Sequence, residues 1–343
     1  MFRSLRKNLR LASDSADKIK RLNEQTKSIS EKLKKQSTKV EDMRGVVRNT
    51  AADVNVLSRS TEGLQVLCGK IAGNQLAAQP PGTPFRDVEF KVFSQWGEDG
   101  ILQHLIHHLQ PKTKTFVEFG VESYVEANTR FLLINDNWRG LVIDGSEDNL
   151  SRLRQTETYW RYDLTAVTCF ITPSNINEII RANKFGPHLG ILSVDIDGMD
   201  YWVFKAIEAT ADILICEYNS VFGPEARVTI PPDDSFYRTT AHHSNLYYGM
   251  SLGAAAELAS AKGYDLVGVN TAGNNAFFVN RNLNSPFKPV KPEECFVAAH
   301  FRESRSATGE LTFLDFEGRQ KAIADCLVYD LKTDKVRPFK EVL

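Results

Sequence analysis

The sequence predicts an α/β body, a doubly wound and mostly parallel seven-stranded sheet, carried behind a long N-terminal coiled-coil helix. Three observations predict this. From residue 93 onward, short apolar runs alternate with helical stretches, the pattern of strand–helix–strand crossovers. The runs are apolar nearly throughout, as strands covered on both faces must be. Before residue 72 the chain keeps a seven-residue register without a proline.

The 343 residues, 42% hydrophobic and 25% charged, suffice for one large domain plus an extension. The net charge of −1 conceals a split. Residues 1–75 hold 16 Lys and Arg against 8 Asp and Glu, a net of +8, which leaves −9 on the remainder. That is a basic appendage on an acidic body, and no nucleic-acid partner is expected for it. Five scattered cysteines without a CxxC pair point to a reducing compartment. The opening MFRSLRKNLRLASD has no apolar signal region, and no stretch approaches the ~18 apolar residues of a membrane span. A cytoplasmic protein is expected.

In the N-terminal segment (1–71), one seam position of the heptad is filled by Ile19, Thr26, Leu33, Val40, Val47, Val54, Thr61 and Cys68. The other is filled by Leu22, Ile29, Gln36, Met43, Thr50, Leu57, Leu64 and Ile71. Charged and polar residues occupy most positions between. A single solvated helix or a basic tail would not need this register. The β-branched first seam favours a parallel dimer; the mixed second seam leaves a trimer open, so a homo-oligomer is expected. Residues 2–11 alternate Arg3, Arg6, Lys7 and Arg10 with Phe2, Leu5 and Leu9. Such a segment suits an anionic membrane surface, which would place the protein at the inner face of a membrane, or it is a frayed helix start. Residues 72–92, with QPPGTP, read as a linker.

The body (93–284) offers five buried strands at 114–119, 140–144, 166–171, 189–195 and 212–217. Helices are expected at 126–136, 147–156, 175–183 and 201–209. A helix at 252–262 and a closing antiparallel hairpin at 264–269 and 276–279 follow. Residues 285–343 form a C-terminal extension without a motif. In such Rossmann-like sheets ligands bind beyond the carboxyl ends of the strands. Those ends carry Glu118 and Gly120, Asp144, Asp195 and Asp197, and Glu217 and Asn219. Four of five strands end at a carboxylate, an arrangement that packing alone would not favour, because unpaired buried carboxylates are costly. Gly120 permits a close turn past a ligand. Asp144 has the spacing at which an acid accepts the ribose hydroxyls of a nucleoside, a feature shared with dinucleotide-binding domains. Glu118 suits an ammonium. No GxxxxGK[ST] motif is present.

The blocks FSQWGEDGIL (93–102), FVEFGVE (116–122) with NT (128–129), WRGLVIDG (138–145), LSVDIDGMD (192–200) and YYGMSLGAAAELASAKGYDLVGVNTAGNNAFFV (247–279) resemble, in order, those of the FkbM family of methyltransferases. The resemblance implies a class I S-adenosylmethionine-dependent methyltransferase. Its cofactor would lie against Gln95, Glu118, Gly120, Asp144, Gly145, Ser146 and Asp195, with Gln95, Glu98 and Asp99 by a lid. The segment Gly120-Val121-Glu122-Ser123 departs from the usual GxGxG, so the first loop must meet the cofactor differently.

The string Asp195-Ile196-Asp197-Gly198-Met199-Asp200 has three readings. Asp195 or Asp197 takes a proton from an acceptor hydroxyl. Asp195, Glu217 and Asn219 hold a divalent cation such as Mg²⁺, an arrangement that resembles metal-dependent O-methyltransferases. Or the string is a glycosyltransferase DxD motif. Asp200 is expected to cap the following helix. The polar, aromatic segment 220–251 is the expected acceptor loop, with His242 and His243 as candidate bases. The reading taken is O-methylation of a sugar, glycan or related metabolite; a DxD glycosyltransferase and a catalytically inactive coiled-coil scaffold are the alternatives.

Overall fold

A computed structural model describes residues 1–343. The chain divides into two compact units, Met1–Leu64 and Gln65–Leu343. Phe2–Leu76 is one unbroken α-helix. Along its first unit the heptad seam is uncovered: Leu22, Leu33 and Leu57 are each at least 60% exposed. No helix is long and apolar enough to cross a membrane.

The second unit is built on a seven-stranded sheet. Its strands are β1 (Thr115–Phe119), β2 (Arg139–Asp144), β3 (Leu164–Thr168), β4 (His188–Val194), β5 (Thr210–Glu217), β7 (Tyr264–Val269) and β8 (Asn275–Asn280). The short β6 (Val228–Thr229) belongs elsewhere. The order is β3-β2-β1-β4-β5-β8-β7. The first five strands are mutually parallel, and β8 runs antiparallel to both neighbours. Alternate strand residues face opposite layers. Val117, Leu141, Leu192 and Leu214 enter one core, and Phe116, Val142, Ile191 and Ile213 enter the other. Both faces are therefore covered, which is why the strands read as apolar runs. The strand order reverses between β1 and β4, and this opens a crevice at their carboxyl ends.

Several expected boundaries move. The third strand lies at Leu164–Thr168 rather than 166–171, because it is a half-exposed edge strand and Phe170 and Ile171 follow it. The helix expected from 126 begins at Arg130, since the chain before it wraps the crevice. The helix expected over 147–156 stops at Arg154, and Thr156 caps a separate turn, Glu157–Arg161. Residues 72–92 are packed rather than loose: Leu76 and Val88 are buried, and Phe85 meets Phe277 edge-on at 5.5 Å.

The C-terminal residues belong to the same unit. β9 (Leu327–Asp330) and β10 (Lys335–Pro338) form a second sheet with β6, in the order β10-β9-β6. Val228, Val328 and Phe339 are in its core. The extension is thus sewn to the 220–251 segment.

Candidate active site

The loop after β1 is built from its own hydrogen bonds. Glu118, buried at the strand end, accepts from Asn128 N at 2.7 Å through one oxygen and from Thr129 N at 3.1 Å through the other. Burial outweighs these bonds and pushes its carboxyl up to about 7. Gly120 has φ +66°, and a Cβ there would lie 2.1 Å from the Asp195 carbonyl oxygen. The glycine is required by the close approach of two loops, those after β1 and β4, as well as by its left-handed backbone.

Asp144 at the end of β2 accepts from Glu122 N at 2.7 Å and from Ser146 N at 2.8 Å. The first bond ties the β1 loop, with Glu122 at φ +47°, to the second strand. The Ser146 hydroxyl caps helix Glu147–Arg154 by accepting from Asn149 N. At Gly145 an added Cβ would meet the Phe170 ring at 3.7 Å, an ordinary contact distance.

After β4, Asp200 is the first residue of helix Asp200–Ala206 rather than its cap. Its two oxygens accept from Ile196 N at 2.8 Å and Gly198 N at 2.9 Å, which folds the loop back on itself. Burial raises its carboxyl to about 6. Asp195, just past β4, and Glu217, the last residue of β5, lie side by side. Desolvation first, and then the neighbouring carboxylates, hold both far above the usual carboxylate range. Asp197, exposed and at φ +54°, is ion-paired with Arg238, whose guanidinium lies 3.7 Å from the centre of the Tyr248 ring.

Two adjoining cavities open here. The smaller, about 380 Å³, is lined by Asp144, Gly145, Ser146, Phe170, Ile171 and Met199 among others. The larger, about 770 Å³, is lined by Gln95, Trp96, Glu118, Glu217, Asn275 and Phe301 among others. Gly120, Glu122, Asp195, Asp197 and Arg238 border both.

The crevice thus gathers Gln95, Glu118, Gly120, Asp144, Gly145, Ser146, Asp195, Asp197 and Glu217. Three expected site residues are not among its lining. Asn219, expected as a metal ligand, donates to the Leu246 and Tyr248 carbonyls and accepts from Val221 N. Its side chain is fully engaged in holding the next loop. His242 and His243 line neither cavity. The His242 Nδ1 bonds the Ser244 hydroxyl at 2.7 Å, and burial, then His243, lowers its pKa. Glu98 and Asp99, expected beside a lid, point inward. Glu98 accepts from Trp96 N, Gly97 N, Asn270 and Asn275, and Asp99 accepts from the backbone of 92–94.

Sequence reasoning missed Trp96, Asn275, Phe301 and Glu303 as lining residues. Asn275 was hidden in the turn-like NTAGNN. Phe301 and Glu303 come from the extension, and Phe301 stacks on Trp96 at 5.6 Å across the cavity mouth. Tyr218 OH holds the Val297 carbonyl at 2.9 Å, and Ala299 N donates to the Ser220 hydroxyl at 2.9 Å, which keeps that strand of chain in place.

No protein-family model matches the chain, and no curated protein matches it. Solved structures similar to it include an S-adenosylmethionine-dependent methyltransferase from Clostridium acetobutylicum, at 9% identity over 53% of this chain and 90% of that one, TM-score 0.37. An O-methyltransferase from Bacillus cereus in complex with SAH is 14% identical over 52% of this chain and 77% of that one, TM-score 0.35. The N-terminal domain of EvdMO1, in the presence of SAH and D-fucose, is 9% identical over 51% and 78%, TM-score 0.33. Likeness at this level leaves function to be argued from the cavity's own residues.

Proposed function

We propose that the chain is an S-adenosylmethionine-dependent O-methyltransferase acting on a hydroxyl of a sugar, glycan or related metabolite. The observation that carries this reading is the two-chambered crevice at the point where strand order reverses, with Asp144 in the small chamber and Asp195 between the two. The FkbM-like blocks support it.

The small chamber fits a nucleoside. The Asp144 carboxylate is oriented by two backbone N–H groups and keeps free lone pairs for two ribose hydroxyls. Phe170, Ile171 and Met199 supply apolar walls for a base. Glu122 at the shared rim favours a positively charged centre there. When bound, S-adenosylmethionine supplies a methyl group on a cationic sulfur.

The large chamber suits a polyhydroxylated acceptor, since carboxylates and amides line it beside the Trp96 and Phe301 rings. Asp195 and Glu217, whose affinity for protons is raised by burial, are placed to take the hydroxyl proton. A DxD reading has less support: Asp197 is engaged by Arg238 rather than turned with Asp195 toward a shared cation. We also propose that the rod joins two or three chains, and that residues 2–11 rest on an anionic membrane.

Calorimetry with S-adenosylmethionine, S-adenosylhomocysteine and nucleotide sugars tests the assignment. Saturable binding of the first two is expected; binding of nucleotide sugars alone would overturn it.

A further inference from the structure

We propose that the floor of the larger cavity is a divalent-cation site formed by Asp195, Glu217 and Asn275. Ligand oxygens of Asp195, Asp200 and Glu217 lie within 4.8 Å of one another. Asp200 is already committed, because each of its oxygens accepts a backbone N–H. Asp195 and Glu217 accept no backbone N–H: their side chains hydrogen-bond to each other, and Glu217 Oε2 is buried and has no partner.

Asn275 is an independent indication. It pairs directly with Glu217 in the antiparallel β5–β8 ladder, so both side chains leave the same face of the sheet. Its amide nitrogen donates to Glu98 Oε1 at 2.9 Å. The opposite amide orientation would set an oxygen against a carboxylate that also accepts from Asn270, so the carbonyl end must be Oδ1 as placed. That Oδ1 is buried and without a donor, in a residue 3% exposed that lines the same cavity. Two unpartnered acceptor oxygens on neighbouring strands therefore line the cavity that Asp195 borders. Buried acceptors left unmet are unfavourable.

The nearby cation, Arg238, is engaged by Asp197 and by the Tyr248 ring. A small hard cation meets all three oxygens at once. Carboxylate and carbonyl donors without His or Cys select Mg²⁺, Mn²⁺ or Ca²⁺ over zinc. The open side toward the cavity leaves positions for water and for acceptor oxygens. This set differs from the one expected from sequence, since the amide comes from β8 and not from Asn219. Its role in turnover rests on the methyltransferase reading: a bound hydroxyl would ionise more readily.

The test is Mn²⁺ binding to the full, chelator-stripped chain, followed by electron paramagnetic resonance of free Mn²⁺ without other ligands. One saturable site per chain, displaced by Mg²⁺, is expected. Glu217→Gln and Asn275→Ala should each weaken binding tenfold or more, while Glu303→Gln at the cavity mouth retains it. Absence of saturable binding to the wild-type chain would overturn the proposal, as would unchanged binding in Glu217→Gln. Thermal unfolding gives a second readout, in which Mn²⁺ raises the Tm of the wild type and not of Glu217→Gln. Cofactor calorimetry is separate, so Mn²⁺ binding without S-adenosylmethionine binding leaves this site standing and removes the methyltransferase reading.

Discussion

Asp144 organises the loop after β1 and, on the function proposed above, also binds the cofactor. Its carboxylate holds the β1 loop through Glu122 N, and it faces the small chamber. Asp144→Ala should weaken S-adenosylmethionine binding roughly tenfold to a hundredfold, the loss of charge-assisted hydrogen bonds worth about 1.5–3 kcal/mol. Asp144→Asn, which keeps one acceptor, should lose less, and titration calorimetry reads the difference. Gly120→Ala should cost about 1–3 kcal/mol in denaturant unfolding, because its Cβ would drive into the Asp195 carbonyl oxygen.

Among the elements, the N-terminal helix makes the sharpest expectation. A helix this long with an exposed apolar seam gains little from its own backbone, and under the coiled-coil proposal another chain would bury that seam. Sedimentation of the full chain should report a dimer or trimer. Leu22→Asp combined with Leu57→Asp should shift it to monomer; a wild-type monomer would remove the coiled-coil proposal. The strands show what a linear pattern can hold. β1, β2, β4 and β5 were legible because burial on both faces makes them continuous apolar runs. β3 was displaced toward Phe170 and Ile171 because an edge strand is only half buried, and those apolar residues serve the cavity instead.

For the whole molecule, buried carboxyls set an unusual pH response. Asp99 and Asp200 are raised to about 6 and Glu118 to about 7, each chiefly by burial. In the unfolded chain such groups ionise near pH 4. The folded state therefore retains protons that the unfolded state has released, and stability falls as pH rises from about 4 through about 7. For Glu118 the effect is on the order of 3 kcal/mol. Tm should decline between pH 5 and pH 8, and a Tm that climbs over that interval would contradict these burials. The C-terminal residues also act at this scale. They carry Phe301 and Glu303 to the mouth of the crevice, so the body that forms the crevice extends well beyond the last strand of its main sheet.

Periodicity alone determined the kinds of element and their order, because burial is written into local composition: a seven-residue seam for the rod, apolar runs for the sheet. Strand-end chemistry likewise marked Glu118, Asp144, Asp195 and Glu217, since acids at such edges are costly without a purpose. Only the tertiary structure decided which polar groups were still free. Asn219 looks like a ligand in sequence, yet its hydrogen bonds are satisfied by the segment that follows it. Asn275 looks like a turn residue, yet strand pairing sets it opposite Glu217 with an oxygen unmet. Hydrogen-bond satisfaction depends on partners far apart in the chain, and no local pattern carries it.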